Sequence, residues 1–380
     1  MTSLHALLKT IITTFVLAIA CAVTLPASAD ERASPNDVAR ILAGLDVPAT
    51  SPIAPLMRER SWQAHAKVFD SAWKRLDDRQ LTRIRDWSQA NLTSRRPVMF
   101  YMFSGPDFLY ANAMFSGAST YVLAGLEPVG RVPELTPTVR RSLPHTLSSL
   151  RGSMNSIMNY SFFKTKDMRV QFTSSSLQGT LPVLYVFLTR SGMTIHEVEL
   201  LNLGTDGAVT PVAAGAQTGS AVKISFSSGA DTPRQTLYYF QTDLSNHGIK
   251  TSGFLTFSEQ LGVGDSFVKS ASYLMHSDNF STIREFILAR SQTMVQDDSG
   301  VPLRFFKTDD WDLKPYGRYL GPIALFANQN QPQLGALFRK SAQRIDFGIG
   351  YRWRPQESNL LMAVKKNQTA VQDVATPAAK

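Results

Sequence analysis

The period of the apolar residues changes several times along the chain, and each change predicts an element. Between residues 54 and 92, Trp62, Phe69, Trp73 and Leu76 recur at offsets of seven, four and three, which is one face of a helix. Leu81, Ile84 and Trp87 continue the buried side of a second helix, whose start is predicted at the capping box Asp77-Asp78-Arg79-Gln80. A short helix is expected at 38–45. Continuous apolar runs at 98–103 and 121–126 predict strands buried on both faces, as in a parallel sheet, with a short helical stretch between them. A similar order follows later: strand 236–243, loop 244–248, helix 254–261, strand 268–275 and helix 283–294, the last opening on the box Thr282-Ile283-Arg284-Glu285. Between the two blocks, 182–189, 194–201 and 221–227 read as strands. The short Ser191-Gly192 connection favours an antiparallel pair there, and a Gly/Ala/Thr-rich loop covers 202–220. Residues 345–354 and 360–364 predict a terminal hairpin.

These elements define an α/β fold class: a mixed sheet with two βαβα-like blocks separated by an antiparallel insert, preceded by an N-terminal helical segment. The expected organisation is a signal peptide at 1–29, an N-terminal helical region at 30–96, an α/β body at 97–364 and a disordered tail at 365–380. The matched order of 98–154 and 236–294 raises an internal duplication, although their shared identity is limited to Ala118-Ser119 and Ala271-Ser272.

The first residues carry the strongest compositional signal. Lys9 precedes an apolar run over 11–23, and Pro26 and Ala27-Ser28-Ala29 follow, the order of a cleavable secretory signal. The run is well short of the roughly twenty residues that a membrane-crossing helix needs. Cleavage after Ala29 would leave a periplasmic or secreted protein without a transmembrane anchor, beginning at Asp30. Ala18-Ile19-Ala20-Cys21 offers a lipoprotein alternative, with Ala at the position where Leu is usual. Cys21 is the single cysteine. Its loss would exclude disulfide, redox and zinc–thiolate chemistry.

With 43% hydrophobic and 18% charged residues, the body is expected to be globular. The net charge of +9 favours anionic partners such as an acidic envelope component. The basic residues are scattered, however, the densest stretch from Arg58 to Arg96 being amphipathic helix, and no nucleic-acid-binding signature accompanies them. Nucleic acid is therefore not an expected partner.

Strong catalytic motifs are missing. Gly262-Val263-Gly264 is followed by Asp265-Ser266-Phe267, with Phe where a dinucleotide fingerprint needs its third glycine, and there is no P-loop. Met102 stands two before Ser104, so the nucleophile-elbow pattern fails. His196-Glu197 lacks the second histidine of a zinc motif. No cofactor or metal is expected. The remaining signal is positional: Ser104, Asp107, Glu127, Asp243, His247, His276 and Asp278 lie at or just past the C-terminal ends of proposed parallel strands, where open α/β sheets bind ligands. Carboxylates and imidazoles gathered there suit general acid–base work. The plain alternative is local, with Asp107 capping the helix after Pro106 and Asp278 the helix that follows it.

The segments FSGPDFLYANAMF, TYVLAGLEPVG and GRYLGPIALF resemble a group of uncharacterised exported bacterial proteins. The resemblance implies export and no particular activity. Three functions stay open: an envelope or periplasmic binding protein for a small molecule or glycan, with Tyr101, Tyr110, Tyr316 and Tyr319 as stacking surfaces; a periplasmic hydrolase using carboxylate and histidine acid–base chemistry; and an interaction protein docking through its basic helices.

Overall fold

The computed structural model describes residues 32–160, 162, 177–229 and 231–366. The signal-peptide reading of 1–29 and, of the tail placed at 365–380, the residues beyond Lys366 lie outside the described residues; Lys365 is not tail but the last residue of a strand. The described residues from Ala33 onward form one compact unit.

The sheet has ten strands in the order β4-β3-β5-β6-β2-β1-β7-β8-β10-β9. In chain order they are β1 (Val98–Tyr101), β2 (Thr120–Gly125), β3 (Thr194–Leu203), β4 (Val209–Pro211), β5 (Ala221–Ser227), β6 (Gln235–Gln241), β7 (Gly264–Val268), β8 (Ser291–Gln296), β9 (Trp311–Gly317) and β10 (Asn359–Lys365). β6, β2, β1, β7 and β8 run parallel. The expected antiparallel insert, β3 to β5, extends the β6 edge, and β10 runs antiparallel between β8 and β9.

Both faces of β1 and β2 are buried, which is why their sequences are apolar runs without alternation. On one face Met99, Tyr101, Tyr121 and Leu123 pack with the N-terminal helices and with Phe108–Met114, Leu143–Tyr160 and Leu181–Arg190. On the other, Val98, Phe100, Val122 and Phe240 pack with the helices Asn246–Ser252, Phe254–Gln260 and Ser281–Arg290.

The connections place a reversal in the centre. From β1 the chain steps to β2 and β6 on one side, then returns to lay β7 and β8 on the other side of β1. Open α/β sheets bind ligands at such a switch point, outside the carboxyl ends of the strands. The two similar sequence blocks are therefore arranged differently: β1 and β2 are neighbours, whereas β6 and β7 flank that pair.

Several expected elements are corrected. Residues 182–189 are not a strand: Leu181–Arg190 is a helix with almost every residue buried, so it shows no polar face to betray its period. The strand placed at 268–275 is Gly264–Val268, and the residues after it form a turn. The helix placed at 283–294 ends at Arg290, and the chain enters β8 directly through extended Ser291, with no Gly or Pro between. The loop at 244–248 gives way to a helix from Asn246. β10 pairs with β8 and β9, not with 345–354, so the terminal hairpin is absent.

Neither capping box forms. Asp77 has helical dihedrals inside a π-helical turn that joins the two flanking helices, and its carboxylate accepts from Arg85 and Thr82 instead. The later helix begins at Ser281 without a side-chain cap, while the Thr282 N–H donates to Asn246 Oδ1.

Candidate functional site

The C-terminal ends of β6, β2, β1 and β7 open on one crevice. From the turn after β1 come Phe103, Ser104, Gly105 and Asp107; from β2, Leu126 and Glu127; from β6, Thr242, Asp243 and Leu244; from β7, Lys269 to Ser272.

Asp107 and Lys269 form its floor. The Lys269 amine donates to Asp107 Oδ2 at 2.8 Å, and the Tyr101 hydroxyl donates to the same oxygen at 2.9 Å. The other carboxylate oxygen caps the following helix, accepting from the Tyr110 N–H at 3.1 Å. Lys269 also lies 3.9 Å from the centre of the Tyr110 ring. Burial pushes the Asp107 carboxyl upward and the Lys269 amine downward, and their contact opposes both shifts. Burial, with Asp107 beside it, holds the Tyr101 phenol well above its ordinary value, so it acts as a donor.

Glu127 is buried at the end of β2, and two glycines make room for it. A Cβ on Gly125 would stand 2.5 Å from Glu127 Oε2 and 2.9 Å from the Gly105 Cα; one on Gly105 would stand 3.4 Å from Oε2. Gly105 also has a φ of 54°, where a side chain is strained.

Strain is concentrated at the switch point. Among the described residues the non-glycine positions with left-handed backbone are Phe103 after β1 and Ser270, Ser272 and Tyr273 after β7. Each such residue costs on the order of 1–3 kcal/mol and persists only where its surroundings dictate it. After β7 the surroundings are carboxylates from the end of β8. Asp297 accepts from the Ser270 N–H and from Ser299, Asp298 accepts from the Tyr273 hydroxyl, and the Tyr351 hydroxyl donates to Ser270 O. Burial and the neighbouring Asp298 raise the Asp297 carboxyl to about 6.

The sequence-predicted residues divide. Ser104, Asp107, Glu127 and Asp243 line the crevice. His247 is exposed on Asn246–Ser252, and Asp278 is exposed beside Arg284 at 3.8 Å. His276 lies in a short turn beyond the β7 loop, its carbonyl accepting from Arg304. His276 and Asp278 are outside the crevice because β7 ends at Val268, seven residues before the expected end at Met275, and His247 because it sits on the helix that follows β6. Asp278 does not cap the helix Ser281–Arg290, which has no side-chain cap; Ser277 caps only the short turn Asp278–Phe280, accepting from the Asn279 N–H. Ser104 turns its hydroxyl to the carbonyls of Gly105 and Ala124, and Asp243 accepts from the N–H and hydroxyl of Ser245.

Of the tyrosines expected to stack on ligands, Tyr101 lines the crevice, its hydroxyl donating to Asp107. Tyr110 lies under Lys269, Tyr316 packs edge-on against Trp87, and Tyr319 packs against Phe338. Lys269 was not anticipated; a lysine inside the apolar run Ser266-Phe267-Val268-Lys269 was its visible signal.

Among the described residues no helix is long and apolar enough to cross a membrane, and no group of three or more His, Cys, Asp or Glu is arranged to hold a metal ion. Comparison with protein-family models, curated proteins and solved structures returns no match.

Proposed function

We propose that this is an exported protein that binds a small hydroxyl-bearing molecule in the switch-point crevice, with the Glu127 carboxylate accepting from two adjacent hydroxyls of the ligand. The observation that carries this reading is the placement of Glu127: a carboxylate buried at the end of the second parallel strand and packed against Gly105 and Gly125, where a Cβ would crowd it. In doubly wound sheets an acid at that strand end, about twenty residues beyond the glycine of the first turn, takes ribose hydroxyls, and Gly105 and Glu127 have that spacing. This is a fold-level analogy, and the site chemistry supports it independently. The walls are largely apolar, with a few convergent polar groups, as in small-molecule sites. The Ser104 hydroxyl is engaged by backbone carbonyls, and no histidine lines the crevice among the described residues, which favours binding over acyl transfer.

Export is supported by the charge, apolar run and Ala27-Ser28-Ala29 order of the first residues. Sequencing the N-terminus of protein recovered outside the cytoplasm should find Asp30 first. Residues upstream of it, or a lipid on Cys21, would contradict that reading.

Binding is tested by thermal shift and calorimetry against sugars, polyols and nucleosides, with the wild type and Glu127→Gln. At least one diol-bearing compound should raise the melting temperature, and the variant should bind it at least tenfold more weakly. Equal affinity in the variant would overturn the assignment of Glu127.

A further inference from the structure

We infer that the chain carries a second binding site, separate from the strand-end crevice, for a small carboxylic acid with an apolar body, and that Arg85 and Asn112 hold its carboxylate.

The site is a cleft among the helices that cover one face of the sheet. Its walls are the end of the helix Arg60–Leu76 with the π-helical turn after it, the helix Phe108–Met114, and the end of the helix Leu181–Arg190 with the Ser191-Gly192 turn. An outer and an inner part share Trp73, Asp77, Arg85, Arg190 and Ser191, so the two are continuous. The inner part adds Leu81, Leu109, Asn112 and Ala113. No described residue lines both this cleft and the crevice.

Arg85 supplies the first donors. The three carboxylates at the cleft each have a cation: Asp70 pairs with Arg190, Asp78 with Lys74 at 2.9 Å and Asp77 with Arg85 at 2.7 Å. Arg190 is further fixed by the Ala43 carbonyl, which accepts from its Nε at 2.8 Å. Arg85 is different, because it spends only Nη2, on Asp77 and Thr82. Its Nε and Nη1 hydrogens have no acceptor among the described residues. A guanidinium held on one side and open on the other is oriented for a carboxylate, with which it makes short, charge-assisted hydrogen bonds.

Asn112 supplies the second. Every residue of Phe108–Met114 is buried, and Asn112 is the one carboxamide among them. It is 7% exposed, and its Nδ2 has no hydrogen-bond partner among the described residues. A buried donor left in this state is costly until an acceptor reaches it. Around it Trp73, Leu81, Leu109 and Ala113 offer apolar surface. A hydrated inorganic anion would lose water against those groups and gain little, whereas a carboxylate on an apolar body gains contact there and brings the missing acceptor. The π-helical turn Asp77–Leu81 joins the two requirements, since it carries both Asp77, which fixes Arg85, and Leu81 of the inner wall. Such turns are rare and gather at functional sites.

The test is calorimetry and thermal shift on the full chain with benzoate, phenylacetate and hexanoate, set against benzyl alcohol, acetate and inorganic phosphate. At least one of the three apolar acids should bind tenfold or more tightly than acetate, phosphate and the alcohol. Asn112→Leu should weaken that binding at least tenfold and leave the melting temperature of the ligand-free protein equal or higher, which an amide satisfied within the fold would not do. Arg85→Lys, which keeps the charge beside Asp77, should also weaken binding at least tenfold. Leu126→Gln, at the mouth of the crevice, should leave it unchanged. The alcohol or phosphate binding as tightly as the acids would overturn the inference. So would acid binding that survives the Arg85 and Asn112 variants or is lost in Leu126→Gln, a lower melting temperature in Asn112→Leu, or failure of all three acids to bind at millimolar concentration.

Discussion

The Lys269 amine and the Asp107 carboxylate meet at 2.8 Å with side chains 1% and 2% exposed, tying the turn after β7 to the turn after β1 across the point where the sheet reverses. The crevice floor is therefore a buried ion pair, and its two halves come from segments about 160 residues apart in sequence.

Removing one partner of such a pair leaves an uncompensated buried charge. Lys269→Met is expected to cost about 3–5 kcal/mol of stability in urea unfolding. The double variant with Asp107→Asn should recover part of that loss, because the orphaned carboxylate is gone. Strictly additive costs would show that the two groups are not energetically coupled.

Gly125→Ala should act through Glu127. The new methyl would stand 2.5 Å from Glu127 Oε2 and 2.9 Å from the Gly105 Cα, so both the carboxylate and the adjoining turn must shift. A stability loss of about 1–3 kcal/mol is expected, with at least a tenfold loss of ligand affinity. Adding Glu127→Ala should relieve part of the stability loss. Unchanged affinity in Gly125→Ala would separate the glycine from the site.

The strained turn after β7 should loosen when its anchor is removed. Asp297→Ala takes away the acceptor of the part-buried Ser270 N–H and of the buried Ser299 N–H and hydroxyl, a buried donor being worth about 1–3 kcal/mol if left unmet. Faster amide hydrogen exchange at Ser270 and Ser299 is the expected readout. Protection equal to the wild type would mean that the turn is held by other contacts.

His65 should make the fold acid-labile. Its Nδ1 faces the Arg151 guanidinium and so accepts, which leaves Nε2 to donate to the Leu42 carbonyl; the ring is neutral. Burial is the main cause that lowers its pKa from 6.5 to about 4. Between those values the unfolded chain binds a proton that the folded one refuses, so stability contributed by this site falls as pH drops from about 6.5 to about 4, by on the order of 3 kcal/mol. The stability difference between wild type and His65→Gln should therefore vary with pH over that window. A constant difference would contradict the assigned neutral ring.

The parallel core was legible because strands buried on both faces must be apolar throughout, and 98–103 and 121–126 are. The same rule misread Leu181–Arg190, a helix buried all round, where only tertiary packing separates helix from strand. Ser104, Asp107, Glu127 and Asp243 were found by position at strand ends, a signal that survives errors of a residue or two. His276 and Asp278 were misplaced because the hydroxyl-rich stretch after Val268 is compatible with a strand, while its real conformation depends on Asp297 from β8. Lys269 could not be assigned from its neighbours in sequence, since its partner is Asp107, and Asp107 in turn serves both as the expected helix cap and as the counter-ion.

The central claim is that the strand-end crevice is where the hydroxyl-bearing ligand sits. A crystal structure of the protein grown with the tightest diol-bearing compound tests it most directly. The account predicts that two adjacent ligand hydroxyls lie within hydrogen-bond distance of the Glu127 carboxylate, beside Gly105. A ligand bound elsewhere, with Glu127 uncontacted, would contradict it.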